Sequence, residues 1–236
     1  MKQLFEATNG SGPTKFAWSP NGQYLAVSGT ALRVQIFDRH GELHDEIPLA
    51  GKEKTQTAVT HFAWCSRSEQ LAVLHCEYLG KDVMATVGAD AAFVYRPRQK
   101  ESTKIDNSQR HEFTHCGWDP NGVTLALATG KGNVLTYDSH TTKMTSILGK
   151  HTEKIGCGSW SPDGRLILGG DDKVVTVSSK SGDTEIQLEI THSAKSIVFS
   201  PEPPHTAASL ASGSFAIRTN QFSVDVGRKT LLVYRL

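Results

Sequence analysis

Apolar residues fall along this chain in short alternating or continuous runs, broken every few residues by Ser, Pro, Asn, Asp and Gly. Such a period suits half-buried strands, and no stretch sustains a helical period over about eleven residues or more. One pattern returns along the chain. FAWSPNGQYLAV from Phe16 is followed by FAWCSRSEQLAV from Phe62, CGWDPNGVTLAL from Cys116 and GSWSPDGRLILG from Gly158. All four tryptophans, Trp18, Trp64, Trp118 and Trp160, hold one equivalent place, and Phe199 holds it in a fifth copy. Spacings of 46, 54, 42 and 39 residues separate the five, and Leu25, Leu71, Leu125 and Ile167 each follow a Trp by seven positions.

The polar break inside each copy is a turn with a mechanism. Pro20 presets φ for the first corner, Asn21 takes the second, and Gly22 tolerates positive φ. Pro120, Asn121 and Gly122 repeat this, as do Pro162, Asp163 and Gly164, while the second copy has only Ser66 and Ser68 and predicts a looser turn. Further β-rich runs follow at 32–38, 91–97, 132–138, 173–179 and 229–236. Several short strands per unit, at a period near 40–50, predict an all-β propeller of about five four-stranded blades in one domain over 1–236. Residues 2–8 read as a separate strand of the kind that closes a ring. The favoured expectation is the N-terminal arc of a propeller of about seven blades, the alternative a closed ring of five.

The ends of the units narrow the kind of propeller by resemblance to WD repeats. Phe37-Asp38 and Tyr137-Asp138 stand where the Trp-Asp pair of such repeats falls, and Gly149, Lys150 and His151 form a stretched Gly-His opening. GGDDKVVTVS resembles the turn between the second and third strands of such repeats, which implies that Asp172 points at His151 as half of a blade-locking clamp. Ala31, Ala89, Lys131 and Arg228 occupy that Asp place elsewhere, so the clamp is partial and confined to one unit. The residues singled out are therefore structural: Trp18, Trp64, Trp118, Trp160, Gly22, Gly122, Gly164, His151 and Asp172.

Charge and chemistry narrow the function. With 25 Lys plus Arg against 24 Asp plus Glu, nothing draws the whole molecule to nucleic acid. No run of 18 apolar residues predicts a membrane-spanning helix, and the N-terminus has no signal-peptide core. Cys65, Cys76, Cys116 and Cys157 lack C-x-x-C spacing and read as reduced, buried, intracellular thiols. His111-Glu112-Phe113-Thr114-His115 matches the H-E-x-x-H zinc pattern, which needs a helix to bring both His to one metal. It runs into a predicted strand, where the two Cα atoms stand roughly 13 Å apart at about 3.3 Å per residue. No metal, cofactor or catalytic residue is expected, and phosphate-cradling and nucleophile-elbow motifs are missing from the sequence. The basic segment 96–110 reads as a solvated connection between blades two and three, with an acidic-partner contact as the sharper alternative.

The stretches VQIFDRHGE (34–42), GKGNVLTYDSHTTK (130–143), LGKHTEKIGCGSW (148–160) and LGGDDKVVTVSSKSGDT (168–184) resemble the N-terminal propeller of the intraflagellar transport protein 144 family, also called WD-repeat protein 19. The likeness covers most of 14–184, is weaker from 185 to 228, and returns in the terminal VGRKTLLVYRL. The resemblance implies a non-enzymatic subunit of intraflagellar transport complex A, in the cytoplasm and at the cilium or flagellum and its base. It further implies sister subunits as partners, with ciliary membrane-protein cargo or adaptors, in retrograde transport and cargo import. A WD-repeat adaptor in another cytoplasmic assembly is the alternative. A small five-bladed enzyme or ligand-binding propeller is a further one, and it predicts inward-facing carboxylates or a metal at the central channel, with His111 and His115 close together.

Overall fold

Each Trp-to-Leu copy is the first hairpin of a sheet. A computed structural model describes residues 14–28, 33–49, 56–78, 89–107, 110–147, 149–179, 181–199, 214–219 and 231–235. The first sheet holds β1 (Lys15–Trp18), β2 (Tyr24–Ser28), β3 (Arg33–Asp38) and β4 (Leu43–Pro48). The second holds β5 (Gln56–Trp64), β6 (Leu71–Tyr78), β7 (Ala91–Arg96) and β8 (Glu101–Lys104). In the third are β9 (Phe113–Trp118), β10 (Thr124–Thr129), β11 (Val134–Asp138) and β12 (Met144–Ile147). The fourth comprises β13 (Ile155–Trp160), β14 (Leu166–Gly170), β15 (Val174–Ser178) and β16 (Thr184–Glu189). Among the described residues the fifth has three strands, β17 (Ala194–Phe199), β18 (Ser214–Thr219) and β19 (Leu231–Arg235). Every pairing is antiparallel, and no helix occurs among the described residues.

The first strand of each sheet lies against the first strand of the next, so the sheets share an inner edge, as propeller blades do. Fourth strands such as β16 are largely exposed, whereas middle strands such as β14 are buried along their length. Cores therefore form between sheets. Ala26, Val34 and Ile36 meet Leu71, Val73 and Tyr95 between the first two. Leu74 and Val94 meet Leu125 and Tyr137 between the second and third. Ile167 and Val175 meet Ala194 and Ile197 between the fourth and fifth. Each such fully buried aliphatic side chain stabilises the fold by about 1.5–3 kcal/mol.

The turns between first and second strands are closed alike. Gly22, Gly122 and Gly164 take φ of 67°, 68° and 87°, and their N–H groups donate to Ser19, Asp119 and Ser161 carbonyls. Only glycine takes that conformation without steric cost. The second copy departs from the looser turn its sequence suggests. Ser68 adopts φ 60° and donates its N–H to Cys65 O at 2.9 Å. Its strain is offset locally: Cys65 Sγ accepts from the N–H of Glu69 and of Gln70, and Ser68 Oγ accepts from Asn21 N in the first sheet.

One further expectation changes, and one register departs from the common pattern. The segment 96–110 is not a plain connection, because β8 lies inside it and pairs with β7 in the register Tyr95↔Ser102. Arg96 donates to Ser139 O and Lys100 to His44 O, so two of its basic groups tie neighbouring sheets together. In the fourth sheet Trp160 pairs with Leu166 rather than Ile167, because that turn is one residue shorter. Residues 2–8, Ala31 and Arg228, with their expected roles, lie outside the described residues.

Leu125, fully buried and paired to Trp118, gives a direct test of this packing. Leu125→Ala is expected to lower the unfolding free energy by about 2–5 kcal/mol in a urea titration. Leu43→Ala, at a side chain 52% exposed, should stay within about 0.5 kcal/mol.

Candidate functional site

The polar chemistry of the molecule is spent between sheets, and the tryptophans lead it. Trp64 Nε1 donates to Ala17 O at 3.0 Å, Trp118 Nε1 to Ala63 O at 3.0 Å, and Trp160 Nε1 to Gly117 O at 2.9 Å. Every acceptor is the residue just before the preceding sheet's Trp. Each belongs to an edge strand, where carbonyls on the open side have no ladder partner. The indole thus satisfies a backbone group that the sheet itself cannot. Trp18, in the first sheet, is 48% exposed, and Phe16 beside it 68%. For Phe199 only the strand position in β17 is described. The indole role was missed by sequence reasoning, although the small residues before Trp18, Trp64 and Trp118 were a signal for close approach.

His151 and Asp172 are brought together. His151 Nδ1 faces the carboxylate at 3.0 and 3.1 Å from its two oxygens, and Nε2 lies 3.1 Å from Thr176 Oγ1. Asp172 also accepts from the N–H of Thr152 at 3.0 Å and of Val174 at 3.1 Å. Gly170 makes this approach possible, since a Cβ there would stand 2.4 Å from Asp172 Oδ1 and 2.6 Å from His151 Nδ1. Burial works against the charge of Asp172, but the hydrogen bonds from His151 and from Thr152 outweigh it and hold the carboxyl below the usual range. Thr176 was not foreseen; its part depends on which face of β15 meets the His. Elsewhere, Asp38 and Asp138 cap their own turns. Asp38 Oδ1 accepts from Glu42 and His40 N–H, and Asp138 Oδ1 from Thr141 and His140 N–H.

The two His of the zinc-like motif take different neighbours. His111 precedes β9 and its ring meets Phe113, whereas His115, on β9, meets His61 of β5 edge-on with ring centres 5.1 Å apart. Burial, then the neighbouring His61, pushes His115 down to about 4, and burial likewise lowers His61. Neutral imidazoles in contact suit an inter-strand packing role. No group of three or more His, Cys, Asp or Glu able to hold a metal occurs among the described residues. All four cysteines are free and buried, and burial pushes the Cys116 and Cys157 thiols up to about 12, where they are poor nucleophiles.

The clamp carries a pH signature. A carboxyl held below its unfolded value contributes stability above that value and loses it as pH falls through the folded one. Asp172→Asn is therefore expected to cost about 1–3 kcal/mol at pH 7, with the difference from the unsubstituted chain shrinking below about pH 4. Urea titrations at pH 7 and pH 3 check both; a cost that does not change with pH would contradict the role of the charge.

Comparison with known proteins gives this arrangement its family. A family profile described as the WDR19 first beta-propeller matches residues 14–236. WD repeat-containing protein 19 of Mus musculus is 33% identical over 240 residues, a match covering 100% of this chain and 16% of that relative. The Homo sapiens protein of the same name is 32% identical over 240 residues, with the same shares covered. WD repeat-containing protein dyf-2 of Caenorhabditis elegans is 23% identical over 229 residues, covering 97% of this chain and 15% of that relative. The chain thus spans 16% of the length of the first two curated relatives. The profile reaches from the first described strand to the last, and on that evidence the chain belongs to the WDR19 first beta-propeller family.

Proposed function

We propose that this chain is a non-catalytic interaction scaffold within intraflagellar transport complex A, acting at the cilium or flagellum and its base. It binds sister subunits of that complex and serves retrograde transport and the import of membrane-protein cargo through adaptors. The observation that carries the reading is the family match across residues 14–236. The distribution of polar groups supports a scaffold. The indole donors, the His151–Asp172 clamp and Tyr95, whose hydroxyl donates to Asp45 Oδ2 at 2.6 Å, are all used to hold sheets in place. Turns carried on such a rigid frame are free to vary, and binding residues concentrate on them.

The test is made in a ciliated cell that expresses the protein with an epitope tag at its own locus. The expected outcome is co-purification of the other complex A subunits in near-equal amounts, together with tag signal along the cilium and at its base. Recovery of none of those subunits, with signal confined to the cell body, would overturn the reading in favour of an adaptor elsewhere.

A further inference from the structure

Equivalent rungs run across the first three strands of each sheet. The rung Trp18–Leu25–Phe37 of the first sheet is matched by Trp64–Leu71–Tyr95 in the second and Trp118–Leu125–Tyr137 in the third. In the fourth the rung is Trp160–Leu166–Ser178, so a hydroxymethyl stands where the others carry an aromatic ring. All three rings are buried, and those of the second and third sheets point at the preceding sheet. Tyr95 packs with Val34 and Ile36 of the first sheet, and Tyr137 with Leu74 and Val94 of the second. Between the third and fourth sheets the corresponding space is a cavity of about 480 Å³, within the range of small-ligand sites. Its apolar wall includes Val134, Ile147, Trp160 and Leu166, and Thr145 and Ser178 add hydroxyls. Ser178 is only 2% exposed, and its Oγ has no hydrogen-bond partner among the described residues. An unpaired buried hydroxyl is costly; this one is closed to water in the unliganded chain and is paired only when an inserted group displaces the cavity wall beside it.

We propose that this cavity is a binding pocket for a tyrosine side chain presented by a partner protein. The cavity continues the inter-sheet interface that Tyr95 and Tyr137 fill from within, so the ring shape it lacks is one the fold already accommodates twice. A phenol also suits Thr145 and Ser178, which stand among the charged Asp119, Asp138, Lys143 and Lys150 on the lining. Tyr95 OH donates to Asp45, which pairs with Ile36 across β3 and β4, and Thr145 holds that same place opposite Thr136 across β11 and β12. The hydroxyl of an inserted tyrosine therefore meets Thr145 on one wall while Ser178 lines the other. This pocket does not depend on membership of a ciliary complex, and the experiment below reads it without any partner.

The probe is p-cresol, the tyrosine side chain alone, followed by saturation-transfer NMR on the purified full chain. Saturable binding in the millimolar range is expected, as suits a fragment of this size. N-acetyltyrosine amide should compete and N-acetylalanine amide should not. Toluene should bind several-fold more weakly, because it leaves the hydroxyls unpaired. Ser178→Tyr fills the space from within and should reduce p-cresol binding at least tenfold; Thr145→Trp blocks it from the opposite, exposed wall and serves where Ser178→Tyr does not fold. Absent binding, binding unchanged in either folded variant, or equal binding of toluene and p-cresol would each overturn the assignment.

Discussion

The structure depends on one interaction made three times among the described residues: an indole N–H reaching across to a first-strand carbonyl of the preceding sheet. A blade of antiparallel strands leaves an unpaired edge on its first strand, and five such edges converge where the sheets meet. Water can serve an exposed edge, but not one against which the next sheet packs. A donor held at the end of the neighbouring strand answers the problem, and its ring supplies apolar area at the same time. Each bond contributes only about 1 kcal/mol net. Its larger effect is to fix how far one sheet slides along the next, which the apolar cores alone do not specify.

The same frame explains how the sheets differ. In the second and third, an aromatic residue on the third strand completes the packing against the sheet before, with Tyr95 also tied to Asp45. The fourth sheet lacks that ring at Ser178 and instead carries the His151–Asp172–Thr176 network at the other end of the same strand. A polar clamp with several backbone donors holds β15 in place where ring packing does not. The second sheet shows the reverse economy: without Pro or Gly in its first turn, Cys65 and Ser68 make the contacts that close it. Repeats of this kind tolerate the loss of one device where another secures the same strand.

Much of the fold was legible because its determinants are local. Four tryptophans at one place, turns of Pro, Asn or Asp and Gly, and β-branched third strands are readable without a neighbour. The strand β8 was not, since Glu-Ser-Thr-Lys is polar on both faces and its pairing rests on backbone bonds with β7. The one-residue shift in the fourth turn was also hidden. LILG offers apolar residues in either register, and only the shorter turn decides that Leu166, not Ile167, faces Trp160. For the site, the approach of His151 to Asp172 is implied by the likeness of GGDDKVVTVS to a WD-repeat turn, whereas the acceptors of the indoles belong to a different sheet and need the fold first. The missing ring at Ser178 was visible in KVVTVSS beside RVQIFD, but its meaning required knowing which face those rings cover.

Solvent exchange of the four indole Nε1–H protons, followed by NMR on the ¹⁵N-labelled chain, tests the inter-sheet ladder most directly. Protons of Trp64, Trp118 and Trp160, bonded to carbonyls, should exchange at least about tenfold more slowly than that of the half-exposed Trp18. Four equal rates, or a protected Trp18 beside three fast neighbours, would contradict it.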